Sequence, residues 1–177
     1  MLTVEEIRKL CVDSGVLELC SPVLDNPKFS VCPLNLEEGS HYSYVGGLLQ
    51  YTGELLSSGT LLCSLYRNYN QKRIDPREYL VSVMWCNISK CLQYDCVDTE
   101  KHVWIETSPS SLLDVSYRSA MEFQKYMETL QESDGEVNIS IDRVIHNILS
   151  PATRSTSTPE SVLLLAAMSL SQQLYST

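Results

Sequence analysis

The chain has 177 residues, 44% of them hydrophobic and 20% charged, enough apolar content for one domain with a sizeable core. The formal net charge of -9 argues against general nucleic-acid binding, because an acidic surface repels phosphate backbones. No apolar run approaches the ~20 residues that cross a bilayer; the stretch Val162–Met168 is far too short.

Thr3 followed by Glu5 and Glu6 opens a helix, with Thr3 as cap and the acids at its positive end, and Gly15 is its stop. The opening residues carry acids and no long apolar run, and the seven cysteines are therefore expected to be reduced thiols in a cytoplasm. Residues 21–40, rich in Pro, Asn and Gly, predict an ordered loop with an extended piece at Lys28–Cys32. From Gly46-Gly47 onward, Leu48, Leu49, Leu55, Leu56, Leu62 and Leu65 recur at helical spacing. Gly53 and Gly59 weaken that helix or permit close packing. Asp75-Pro76 starts another helix, with a buried stripe of Tyr79, Leu80, Val83, Met84, Ile88 and Cys91.

His102–Thr107 alternates as a short strand does. Asp114 or Ser116 caps a helix carrying Met121, Phe123 and Met127, and Asp134-Gly135 marks a turn. Ser140 caps a helix over Ile141–Leu149, Pro151–Thr158 reads as a Ser/Thr-rich loop, and Thr158-Pro159-Glu160 opens a final core helix from Ser161 to about Tyr175. The sum is a mainly α single domain over residues 1–177, with at most one or two short strands.

The segment from Ser40 to Thr52, His41-Tyr42-Ser43-Tyr44-Val45-Gly46-Gly47-Leu48-Leu49-Gln50-Tyr51-Thr52 after Ser40, resembles a signature of HD-domain phosphohydrolases. The branch in question includes exoribonuclease-associated and phage-encoded nucleotide hydrolases. Its members read His-His, then Gly-Gly-Leu-Leu, then His-Thr, the last His being a metal ligand. Tyr51 stands at that ligand, His41 matches the first of the preceding pair, and Tyr42 replaces the second. Val83-Met84-Trp85-Cys86-Asn87-Ile88-Ser89-Lys90 resembles the Leu-His-Asp-Ile-Gly-Lys signature, with Cys86 at the His, Asn87 at the Asp and Lys90 retained. Leu165–Ser171 resembles the last signature, a core helix bearing an Asp, with Met168 at its place, and His146 resembles a His that precedes it.

The resemblance implies an HD-like helical bundle whose four metal ligands are replaced. A metal would lower the pKa of bound water toward ~7 and offset charge on a leaving group. Tyr51 is a poor ligand near neutral pH, Asn87 lacks the charge, Met168 is mismatched to a hard cation, and Cys86 lacks evident partners. The expectation is therefore a non-catalytic pseudoenzyme, by resemblance phage-encoded and acting in a host cytoplasm, with no catalytic residues, no metal and no cofactor. Its vestigial pocket would hold His41, Tyr51, Cys86, Asn87, Lys90, His146 and Met168, and its partner would be a protein or a small nucleotide. Two alternatives stay open: a metal-dependent nucleotide phosphohydrolase with a rebuilt site, and a metal-free nucleotide binder. A zinc site of Cys86, Cys91 and Cys96 suffers from steps of five, which rotate off one helix face. A Cys–His hydrolase pairing Cys86 with His41 or His146 would need a lowered thiol pKa and a base in reach.

Overall fold

A computed structural model describes residues 2–69, 74–107, 114–132, 137–154 and 156–174. Among these, eight helices run in the order α1 (Val4–Asp13), α2 (Leu17–Leu24), α3 (Gly47–Tyr69), α4 (Pro76–Trp85), α5 (Ser89–Gln93), α6 (Val115–Glu132), α7 (Ile141–Thr153) and α8 (Pro159–Leu174). One antiparallel hairpin, β1 (Tyr94–Asp98) and β2 (Val103–Glu106), lies between α5 and α6, paired from Tyr94 opposite Glu106. The fold is mainly α, as the sequence pattern implies.

The N-terminal boundaries follow capping chemistry. Thr3 Oγ1 accepts from the Glu6 backbone N–H, and the Glu6 carboxylate accepts from the Thr3 N–H, which closes a capping box. Asp75 accepts from the Arg77 N–H with Pro76 in the first turn of α4, and Ser140 accepts from the Arg143 N–H at α7. Thr158 Oγ1 accepts from the Ser161 N–H at the start of α8, and Asp114 from the Ser116 N–H before α6.

The region 21–40 departs from its sequence reading. Leu17–Leu24 is helical although it contains Pro22; the Glu18 carbonyl, which Pro22 has no N–H to serve, accepts instead from the Ser21 hydroxyl at 3.0 Å and the Tyr126 hydroxyl at 2.8 Å. Lys28–Cys32 is not extended: the Val31 and Cys32 N–H groups both donate to the Lys28 carbonyl, a tight turn. The helix capped by Asp75 stops at Cys86, so Cys91 belongs to the separate helix α5. Helix α7 continues through Pro151 to Thr153 and ends on Arg154 at φ 52°, so the following loop is shorter than expected. The Asp134-Gly135 turn lies outside the described residues. Met121 points to solvent, while Phe123 and Met127 face the core.

Helix α4 is the hub. Every residue from Glu78 to Trp85 is buried, because α2, α3, α6, α7 and α8 all pack around it. A helix enclosed on all sides has no polar face, and so shows no single stripe. Two polar clusters tie it to its neighbours. Arg143 on α7 reaches both the Glu78 carboxylate of α4 (3.1 Å) and the Glu160 carboxylate of α8 (2.6 Å). Asn147 donates to Ser82 Oγ at 3.1 Å and accepts from the Thr158 hydroxyl. Trp85 Nε1 donates to the Leu19 carbonyl at 2.8 Å and its ring meets Phe123 edge-on, which pins α2 and α6 to the hub.

Candidate functional site

The site begins at the turn into α3. Gly46 sits at φ +79°, a conformation in which a side chain is strained, and a Cβ on Gly47 would lie 2.1 Å from the Tyr42 carbonyl oxygen. The glycine pair thus lets the preceding segment fold back on the first turn of α3. The Gly46 N–H donates to the Val31 carbonyl and the Leu48 N–H to the Cys32 carbonyl, so residues 31–32 are sewn to the same turn.

This fold-back buries Tyr42, itself at φ 58°. Its ring packs on Tyr51 with centroids 5.1 Å apart, tilted by 58°. Its hydroxyl donates to the Glu54 carboxylate and lies 2.6 Å from Ser171 Oγ, which in turn donates to Glu54 at 2.7 Å. Gln50 Nε2 supports the other carboxylate oxygen at 3.0 Å, and Tyr44 donates to Gln50. The position where the resemblance has a histidine therefore links the loop, α3 and α8 through a tyrosine.

Tyr51 itself is buried, and burial, with the Cys86 and Glu54 side chains nearby, pushes its phenol well above the usual range. Across from it Cys86 is 2% exposed. Burial pushes the Cys86 thiol up to about 12, against the lowering effect of an Asn87 amide N–H that donates to its sulfur at 3.1 Å. The thiol proton goes to the Val83 carbonyl at 3.2 Å. Tyr79, whose hydroxyl donates to the Leu55 carbonyl, borders the same cluster. Tyr51, Cys86 and Asn87 therefore converge. Met168 is half-buried on α8, which packs against both α3 and α4.

The remaining residues expected in the pocket make the following contacts. Lys90 donates to the Tyr94 hydroxyl at 2.8 Å and lies over that ring, 5.0 Å from its centroid. His41 is exposed, and its carbonyl accepts from Asn35. His146 lies half-buried on α7, its Nε2 without a hydrogen-bond partner among the described residues. The cysteines weighed as zinc ligands diverge: Cys86 faces Tyr51, Cys91 meets Cys32, and Cys96 bonds the Asp98 carbonyl. Among the described residues, no group of three or more His, Cys, Asp or Glu side chains has metal-binding geometry.

Between α1 and α3 opens a cavity of about 470 Å³ lined by Leu2, Glu6, Gln50, Gly53, Glu54, Ser57 and Ser58. Its two carboxylates set against the phosphates of a nucleotide. Two features escaped sequence reasoning: the Tyr42–Glu54–Ser171 network, whose members are far apart in the chain, and two thiol contacts, Cys11 with Cys20 and Cys32 with Cys91. Cysteine spacing alone carries no signal for such pairs. No family model, no curated protein and no solved structure matches the chain.

Proposed function

We propose that this chain is a non-catalytic binding or regulatory protein built on a degenerate HD-like helical scaffold, working in the cytoplasm. The observation that carries the reading is the state of the Tyr51–Cys86–Asn87 cluster. A phenol and a thiol both held protonated by burial, with a neutral amide turned onto the sulfur, offer a divalent cation no anionic ligand. The same protonated thiol is a poor nucleophile, because the thiolate is the reactive species. Lys90 is committed to Tyr94, and the cavity between α1 and α3 carries Glu6 and Glu54, which disfavours a phosphate-bearing ligand there as well. By this reading the scaffold keeps its shape and surface for a protein partner. Phage origin rests on the HD resemblance alone and stands or falls with it.

The test is metal analysis of the purified protein with a nucleotide-hydrolysis screen in Mn²⁺, Mg²⁺ and Co²⁺. The expected outcome is no bound metal and no phosphate release. Hydrolysis that disappears in Cys86→Ala or Asn87→Ala would overturn the proposal in favour of a rebuilt phosphohydrolase. A nucleotide panel read by thermal shift completes the test, since a ligand of the folded state raises its stability. A saturable shift without metal would overturn it in favour of a nucleotide binder.

A further inference from the structure

The β1–β2 hairpin has one closed edge and one open edge. Opposed residues in an antiparallel pair alternate between those that exchange hydrogen bonds and those whose main-chain groups point away from the partner strand. The Thr107 N–H donates to the Gln93 carbonyl at 2.8 Å, so these two are a bonded pair. Asp95 and Ile105 are the next bonded pair, two residues further along. The main-chain groups of Tyr94 on β1, and of Trp104 and Glu106 on β2, therefore point outward. On β1 those of Tyr94 are satisfied: its N–H donates to the Lys90 carbonyl and its carbonyl accepts from the Lys28 ammonium at 2.8 Å. A bulge between Cys96 and Asp98 then breaks the line of that edge. Among the described residues, nothing bonds the outward groups of Trp104 and Glu106 on β2.

We infer that the outer edge of β2 docks an extended segment of a partner protein whose residues alternate between apolar and basic, added to the hairpin as a third strand. Native sheets guard such an edge with Pro, Lys or a bulge, and Val103-Trp104-Ile105-Glu106 has none of these. Val103 and Ile105 share one face of β2 and are each 43% exposed, β-branched side chains of the kind that pair across strands. Trp104 and Glu106 alternate onto the other face, where Glu106 is exposed and Trp104 half-buried.

Charge selects the occupant. Asp95, Asp98, Glu100 and Glu106 of the hairpin stand against Lys101 and the Lys28 that reaches Asp95. The whole chain carries -9. A second copy would bring the same surplus to the edge, and net charge of one sign keeps chains apart. A segment of alternating apolar and basic residues matches both faces. Its apolar side chains lie against Val103 and Ile105, and its Lys and Arg side chains beside Glu106. Main-chain hydrogen bonds supply the affinity and the alternation supplies the specificity. The inference deepens the binding-protein reading above and rests on it.

The test titrates the whole chain with the capped peptide Arg-Val-Lys-Ile-Arg-Val-Lys-Tyr by calorimetry, and follows amide hydrogen exchange. The expected result is saturable binding in which the Trp104 and Glu106 N–H groups, freely exchanging before, slow by about tenfold or more. Affinity falls by about tenfold or more in Ile105→Lys, which charges the exposed edge, and when alternate peptide residues are N-methylated. Glu106→Pro has the same effect, because it deletes an outward N–H and leaves the pairing with β1 intact. Added salt weakens binding, and a peptide with Glu in place of Arg and Lys does not bind. No binding at millimolar peptide, binding that leaves exchange at Trp104 and Glu106 unchanged, or equal binding of the acidic peptide would overturn the proposal. So would a dimer in sedimentation whose Trp104 and Glu106 amides are protected without peptide, which would give the edge to a second copy. Phosphate release in the metal screen marks failure of the binding-protein reading, whereas a failed titration marks failure of the β2 edge alone.

Discussion

Replacing Arg143 by methionine removes the guanidinium set between two buried carboxylates. Glu160 is 0% exposed and Glu78 4%, and Arg143 contacts both, at 2.6 and 3.1 Å. Breaking a buried ion pair from one side costs about 3–5 kcal/mol, because a desolvated charge is left behind. The Arg143 side chain is itself 38% exposed, so solvent screens part of the effect. The carboxylates also keep backbone donors, Asp75 N–H to Glu160 and Ser140 N–H to Glu78. About 2–3 kcal/mol at pH 8 is the expected loss, or roughly 5–10 °C in Tm for a domain of this size.

The loss should depend on pH, and its sign follows from Glu78. Burial raises the Glu78 carboxyl above its ordinary value, helped by Glu160 and Asp75 and opposed by Ser140 N–H and Arg143. A raised carboxyl holds its proton in the folded state where the unfolded chain has lost it, so stability falls as pH climbs through the folded value. Without Arg143 that value moves further up. The gap between wild type and Arg143→Met therefore narrows as pH is lowered from 8 toward 5. Urea unfolding at the two pH values measures it. An equal loss at both, or a loss below about 0.5 kcal/mol, would refute the reasoning. Adding Glu78→Gln to the variant should recover part of the loss.

Gly47→Ala should cost about 3 kcal/mol or more in urea unfolding, since its Cβ meets the Tyr42 carbonyl at 2.1 Å, while Gly46→Asn should cost no more than about 1 kcal/mol because Asn tolerates the left-handed region; the reverse order would sink this account of the turn. Gly59→Ala should be destabilising by about 2 kcal/mol despite the gain in helix propensity, since the new methyl would sit 2.1 Å from the Tyr79 ring, and Tyr79→Leu in the same chain should relieve it. Asp75→Ala should cost about 1 kcal/mol by thermal unfolding at pH 7, from lost capping of α4. Arg77 and its N–H hold the Asp75 carboxyl below the usual range, so that contribution is present above about pH 4 and fades as acid protonates the group; a difference that persists undiminished at pH 2.5 counts against it.

Local signals were legible wherever chemistry is local. Thr3, Asp75, Ser140 and Thr158 mark helix starts because a short polar side chain can reach an orphan N–H two or three residues on. Helix α2 was hidden by Pro22, and β1 by the run of residues leading out of α5, since its pairing partner β2 lies beyond a turn. The six residues expected to form the buried stripe of α4 are all buried, but Ile88 and Cys91 lie beyond its end, and the residues between the others are buried as well, because neighbours pack on every side.

The amino-acid sequence by itself determined the mainly α class and the caps at the helix starts, because these depend on short-range patterns and a few adjacent residues. Only the tertiary structure decided what those elements do together. It set Tyr51 against Cys86 and Asn87, and held Lys90 on Tyr94. It also joined Tyr42 to Ser171 and Cys32 to Cys91, residues separated by most of the intervening fold. Burial shifts the protonation of such groups, and burial is a property of the packed whole that no local pattern encodes.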